Sequence, residues 1–439
     1  MNWNQLLSSQ RIGQKITSSE QSRSAFEQDY DRIIFSHPFR RLQDKTQVHP
    51  LPEHDFVHTR LTHSLEVSSV GRSLGKRVGE VILARQAEIS KNFSLFDFGA
   101  IVAAAALAHD LGNPPFGHAG EDAISDFFHH HPIGLSFKNK VNEIEWIDLT
   151  TFEGNAQGFR IINSNQYGLK LTLATLGAFT KYPCASFLPA RDKTKKSQKK
   201  FGYFQSEKNI FTEVANTLEL TKCNDDAWCR HPLTFLVEAA DDICYNIIDL
   251  EDGCRLGLIS FDDTVELLAS ILKSSFKPEK LNRITGQNEK IGVLRAMAIN
   301  KLIDECTDIF LSTEPEILNG KFDAALTDQC SLKNELDVIS KISVEKIYRA
   351  RHVVEIEASG HAVLPGLLEE FTQAGDCLLR NVKSRKYQNL ILLLPEEIRE
   401  SIKQQPDNYY NMLRLVVDFI SGLTDRHALS LYRRIKGVL

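Results

Sequence analysis

The sequence lacks the features that mark a specialised class. No apolar run approaches the ~20 residues that a membrane-crossing helix needs, and the most apolar one, Gly99 to Leu107, is far shorter. The amino-terminal MNWNQLLSSQR has none of the charged-then-apolar order of a secretory leader, so a cytoplasmic protein with no membrane partner is expected. Positive charge is not in surplus: 52 Lys and Arg stand against 57 Asp and Glu, net −5, which gives no global pull toward nucleic acid or an anionic surface. The eight cysteines show no CxxC spacing, and Cys223 and Cys229 are too loosely placed for a zinc knuckle. They read as reduced thiols of a cytosolic protein. Internal repeats, strand-like alternation and Pro/Gly/Ser-rich linkers are missing too. What remains is a nearly all-α chain of 439 residues, enough for one large domain or two ordinary ones. We divide it into a catalytic core over residues 1–258 and a C-terminal helical region, 259–439, packed on that core.

Along the chain, residues 1–30 are polar and are expected to wrap a neighbour or the surface. Ile33–Val48 reads as a helix after the Pro38 break, with Gln43 and Gln47 four apart on one face. Phe56–Val78 reads as a helix carrying Arg60 and His63 beside an apolar stripe. The run His129-His130-His131 stands before Pro132 at a helix end, where capping or solvent exposure fits better than metal binding. Residues 133–150 look irregular. Arg191–Lys200 carries six basic residues and one acid, a solvated loop or a reach toward phosphates. The later segments are amphipathic helices: Phe261–Leu272, Lys290–Ser312, Val344–Glu357, Leu364–Leu379, Pro395–Lys403 and Tyr409–Gly422. Ser359-Gly360-His361 is read as a break before Pro365.

Chemistry concentrates in AAAALAHDLGNPPFGHAGE, residues 103–121. An alanine-rich helix ends on His109-Asp110, and Pro114-Pro115 forbids its continuation. Neighbours on a helix point about 100° apart, so this pair meets one point only where a metal sits against the helix end. Imidazole with carboxylate suits a divalent first-row ion. His118 and Glu121 follow the turn. A second helix, Leu233–Leu250, places Asp241, Tyr245 and Asp249 on one stripe, while Asp242 points elsewhere. Acids and a phenol on an apolar helix cost stability unless partnered, which favours a site over plain core.

Together His63, His109-Asp110 and Asp241 resemble the H…HD…D pattern of HD-domain phosphohydrolases. RRLQDKTQV, HTRLTHSLEV, GNPPFGHAGE, FEGNAQGFR, KYP, EAADDICYNIIDLED and the ending SGLTDRHAL are similar to segments of the bacterial dGTP triphosphohydrolases. The resemblance implies an all-α HD-domain helical core with added C-terminal helices. It also implies hydrolysis of a dNTP, with dGTP favoured, to deoxynucleoside and inorganic tripolyphosphate. By resemblance, His63, His109, Asp110 and Asp241 hold one divalent metal per site, Mn²⁺ or Mg²⁺ foremost, with Fe, Co, Ni or Zn as alternatives. Asp242 is the competing fourth ligand. His118 and Glu121 form the catalytic pair. Arg60 and Lys181 contact phosphates, with the Lys193–Lys200 run in reserve. Tyr245 packs on the deoxyribose, Gln43 or Gln47 with Asp249 binds the 3′-hydroxyl, and Asn155 lines the site. A homo-oligomer with allosteric dNTP effects is implied as well. The rival readings are an HD phosphohydrolase for another nucleotide, and a nucleotide sensor or single-strand nucleic-acid binder that keeps the fold.

Overall fold

The computed structural model describes residues 1–13, 23–47 and 58–438. The architecture is all-α. Its one named sheet among the described residues is a two-stranded hairpin, Lys222–Asn224 against Ala227–Trp228. The centre is the helix Leu95–Ala108, which is apolar on nearly every side and buried from Ile101 to Ala108, as a helix without a polar face must be. Helix Arg60–Arg85 lies along it, started by a reciprocal cap between Thr59 and Thr62. Close approach depends on Gly75, where a Cβ would stand 2.7 Å from the Phe98 carbonyl oxygen. Helix Pro232–Arg255 completes the trio. Pro232 fits the first turn, whose amide needs no partner, and His231 caps the Leu233 amide at 3.1 Å.

Two large apolar cores result, and both draw on residues before and after position 258. The first joins these three helices to Gln287–Leu318. The second joins Phe116 and the helix Gly117–His130 to Arg351–Leu379, Tyr409–Ser421 and Asp425–Lys436. The C-terminal region therefore packs directly on the segment that carries His118 and Glu121.

Several sequence expectations change. The amino terminus packs on its own core: Trp3, Leu6 and Leu7 are buried, and the Trp3 indole donates to Glu314 at 2.8 Å. Ile33–Val48 is not one helix. Helix Ala25–Ile34 stops, His37–Arg41 starts anew with Pro38 in its first turn, Leu42–Asp44 is a 3₁₀ turn, and Lys45 is extended. Gln43 and Gln47 consequently share no helix face, and Val48, Phe56 and Val57 lie outside the described residues. Residues 133–150 contain a real helix, Glu143–Thr150, opened by an Asn142–Glu145 capping box that the lack of an apolar stripe concealed. Ser359-Gly360-His361 does not break its helix, which runs from Arg351 to Leu379 through Pro365. Burial of Val363, Leu364, Leu367 and Leu368 outweighs the lost hydrogen bond, and Gly360 admits Phe116. Val344–Tyr348 forms a π-helical turn separate from that helix.

Of the histidine run, His129 and His130 are exposed, while His131 stacks on Phe127 and accepts from the Ile133 amide. All eight cysteines are free thiols. No helix among the described residues is long and apolar enough to cross a membrane.

Candidate active site

Three helices converge on a cleft of about 570 Å³. The first turn of Arg60–Arg85 supplies Arg60 and His63. The end of the central helix supplies His109 and, one residue into the turn, Asp110. The middle of Pro232–Arg255 supplies Asp241. Ligand atoms of His63, His109 and Asp110 all lie within 4.8 Å of one another. Asp241 Oδ1 stands 3.2 Å from His63 Nε2 and 3.6 Å from His109 Nε2. Asp242 instead accepts from the Thr327 hydroxyl at 2.5 Å.

The donor set is pre-oriented for a cation. His109 Nδ1 is 2.6 Å from the Ala106 carbonyl, which fixes the proton there and leaves Nε2 free to ligate. Asp110 is held on both oxygens, by the Asn113 amide at 2.6 Å and Arg60 Nη1 at 2.8 Å. Burial pushes the Asp110 carboxyl up, but His109, Arg60 and His63 outweigh it and hold it down at about 2. Asp241 is likewise kept ionised, with His109, His63 and Lys181 overcoming its burial. His63, His109 and Asp110 so arranged form a candidate site for one divalent ion, with Asp241 beside both imidazoles.

Beyond these donors the chain makes a turn that only unusual backbone allows. Gly112 has no room for a side chain against Gly154 and Gly158. Phe116 and Gly117 are both left-handed, at φ 66° and 59°, which aims helix Gly117–His130 back across the cleft. His118 projects into the opening, with Nδ1 3.6 Å from Glu121 Oε2. The His118 side chain is 80% exposed at the cleft mouth, and partial desolvation there, then Lys200 and Arg60, lower its pKa. Glu121 is buried and accepts from the Gly154 amide at 2.6 Å. Burial and Glu153 push its carboxyl up to about 7.

Cations line the other wall. Lys181 lies 3.5 Å from Glu238, which in turn pairs with Arg230 at 2.7 Å. Burial opposes the Lys181 charge, yet Glu238 and its acidic neighbours raise its pKa overall. From the Arg191–Lys200 run only Lys200 lines the cleft, 3.1 Å from Glu153 and 3.8 Å from Glu121. Lys196 pairs with Asp328 at the surface instead.

Gln47, Asn155 and Tyr245 also line the cleft. Asn155 donates to Glu153 at 2.7 Å, and the Gln47 carbonyl oxygen is buried without a partner among the described residues. Two expected residues are not brought to it. Gln43 is exposed on the 3₁₀ turn. Asp249 is buried behind the wall and accepts from the Tyr348 hydroxyl at 2.6 Å. Tyr348 stacks on Tyr245 with ring centroids 5.4 Å apart, and Val353, Ile356 and Glu357 extend that wall. Nothing in the sequence singles out these four, because they sit far along the chain in amphipathic helices with no motif. Asn113 and Glu153 are different: they lie inside the segments GNPPFGHAGE and FEGNAQGFR, where a signal exists.

The chain matches the HD domain over residues 60–153 and the phosphohydrolase-associated domain over 326–434. It is 44% identical to a deoxyguanosinetriphosphate triphosphohydrolase-like protein of Synechocystis, covering all of both chains. A like-named protein of Pseudomonas aeruginosa is 38% identical over all of this chain and 99% of its own. The deoxyguanosinetriphosphate triphosphohydrolase of Klebsiella pneumoniae is 30% identical over 94% of each.

Proposed function

Because the chain belongs to the HD-domain family of deoxyguanosinetriphosphate triphosphohydrolases and their like-named relatives, we propose that it hydrolyses dGTP, and other dNTPs, to deoxynucleoside and inorganic tripolyphosphate. The observation that carries this reading is the joining, in one cleft, of a candidate donor set for a cation, a His–Glu pair, and the cations Arg60, Lys181 and Lys200 with an aromatic wall. His63, His109, Asp110 and Asp241 would hold a divalent ion, with Mn²⁺ or Mg²⁺ favoured. When bound, that ion supplies Lewis-acid polarisation of a phosphoryl oxygen and of water.

The chain's own groups do the rest. Water loses one proton to the solvent as its oxygen bonds to the α-phosphorus, the bond to the 5′-oxygen breaks, and that oxygen takes a proton as the deoxynucleoside leaves. Glu121 keeps a proton near neutral pH and lies behind His118 Nδ1, so the pair relays it to the leaving oxygen. Arg60, Lys181 and Lys200 bind phosphate oxygens through charge-assisted bonds. Tyr245 closes the sugar end against a 2′-hydroxyl, and Gln47, with an unused buried acceptor, receives the 3′-hydroxyl. Asn155 lines the opposite wall. Excluding the extra hydroxyl by a fitted wall is how a pocket separates close analogues.

The test is incubation with each dNTP, singly and mixed, and with GTP, in Mn²⁺ or Mg²⁺, followed by chromatography of the products. Tripolyphosphate and deoxynucleoside should appear together from dGTP. Pyrophosphate as first product, or GTP turned over as well as dGTP, would refute the reading.

A further inference from the structure

The last helix, Asp425–Lys436, begins beside the cleft, and Thr424 rather than Asp425 caps it. The Asp425 side chain, 1% exposed, turns away from its own helix. One carboxylate oxygen accepts from the Phe116 amide at 3.1 Å. The other accepts from the Thr46 amide at 3.0 Å and from the Thr46 hydroxyl. Neither amide has a backbone acceptor among the described residues. Phe116 is the left-handed residue two before His118, a conformation that a side chain with a Cβ rarely holds unaided. Thr46 adjoins Gln47, and both line the cleft. The clasp is reinforced on either side. Lys45 Nζ donates to the carbonyls of Asn113 at 2.5 Å and Ser421 at 2.8 Å, and Arg426 pairs with Asp44 at 3.2 Å.

We propose that Asp425 is a positioning residue for the reaction, fixing through one carboxylate the turn that aims His118 and the extended segment that presents Gln47. The proposal rests on the dNTP hydrolysis proposed above. It assigns the C-terminal region a direct share in the catalytic geometry: the turn before His118 is complete only when this helix is docked.

Asp425→Asn keeps the volume but turns an amide donor onto one of the two segments. Since a misplacement of about 1 Å can cost on the order of 10²-fold, kcat for dGTP should fall about 10- to 100-fold. Mn²⁺ content should be unchanged, and KM should rise by less than kcat falls, its rise reporting the displaced Gln47. In a His118→Ala background the same substitution should cost kcat at least about threefold less than in the native background, because the part acting through that imidazole is gone and only the share acting through Gln47 remains. An equal loss in both backgrounds, or wild-type kcat, would overturn the assignment.

Hydrogen exchange read by mass spectrometry needs no turnover. The Phe116 and Thr46 amides should be protected in the native protein and lose protection in Asp425→Asn, with the 95–108 helix unaffected. Unprotected amides in the native protein would overturn the clasp even if the variant failed to fold. A native protein that hydrolyses no dNTP would instead defeat the proposed function, leaving exchange to decide Asp425.

Discussion

Glu121 is held where its charge is costly, so removing that charge should stabilise the fold while harming turnover. Its carboxyl is displaced from the usual 4.5 to about 7, by burial first and then by Glu153, against the pull of Lys200 and the Gly154 amide. At about 1.36 kcal/mol for each pH unit, that displacement corresponds to about 3 kcal/mol. The sign follows from proton binding: between about pH 4.5 and 7 the folded state holds a proton that the unfolded state has released. Stability from this group is therefore full below about pH 4.5 and is lost as pH rises through about 7. A glutamine side chain in its place would be neutral at every pH and would still accept from Gly154. Glu121→Gln should thus match the native protein at about pH 4.5 and exceed it by about 2–3 kcal/mol at about pH 8.5. Urea denaturation of chelator-treated protein at both pH values measures the difference, and dGTP turnover of the same preparations should drop. A stability difference that does not change with pH would refute the argument, since a packing effect has no reason to titrate there.

Two further outcomes separate roles within the donor set. Asp241→Ala should lose Mn²⁺ as measured by elemental analysis, while Asp242→Ala, whose carboxylate is committed to Thr327, should retain it; the reverse result would exchange their roles. Arg60→Ala should weaken Mn²⁺ and dGTP binding together, by roughly 10- to 100-fold each, because the guanidinium also fixes Asp110 and a charged hydrogen bond is worth about 1.5–3 kcal/mol. Calorimetric titration showing unaltered Mn²⁺ affinity would confine Arg60 to the phosphates.

The local parts of the cleft are legible in the sequence, and the long-range parts are dark. His109, Asp110, His118 and Glu121 can be placed because one turn fixes their spacing, and Pro114-Pro115 announces that turn. The stripe of Asp241, Tyr245 and Asp249, with the roles that the family resemblance gives it, favours Asp241 over Asp242, and the structure turns Asp241 toward His63 and His109. The same periodicity misleads at Gln43 and Gln47. Nothing near residue 45 signals that Asp425 and the Asn113 and Ser421 carbonyls draw the chain out of a helix. Asp249 is hard to place for a related reason: position on the stripe does not tell whether a residue faces the cleft or, as here, a hydroxyl from Tyr348, 99 residues on. Gly360 and Pro365 read as breakers since their intrinsic preferences are poor, yet a buried face of leucine and valine overrides them.

The charge of the cleft argues that ion and substrate are recognised as a unit. Its lining includes the carboxyl groups of Asp110, Glu121, Glu153, Glu238, Asp241, Asp242 and Glu357, against the cations Arg60, Lys181 and Lys200. A surface with that balance repels a triphosphate. Part of the excess is removed by protonation, since burial and Glu153 push Glu121 up to about 7. Part is already engaged: Glu238 sits between Lys181 and Arg230, and Glu153 faces Lys200. These acids keep the cations in place before a ligand arrives, so less rotamer freedom is lost on binding. Asp110, which also holds Arg60 at 2.8 Å, and Asp241 are both kept ionised at the point where His63 and His109 converge. A dication there would offset those two carboxylate charges and leave Arg60 freer to face phosphate oxygens. The acidic character of the cleft thus fits a polyanionic substrate only in company with a divalent ion, which ties the donor set to substrate binding as closely as to the chemistry.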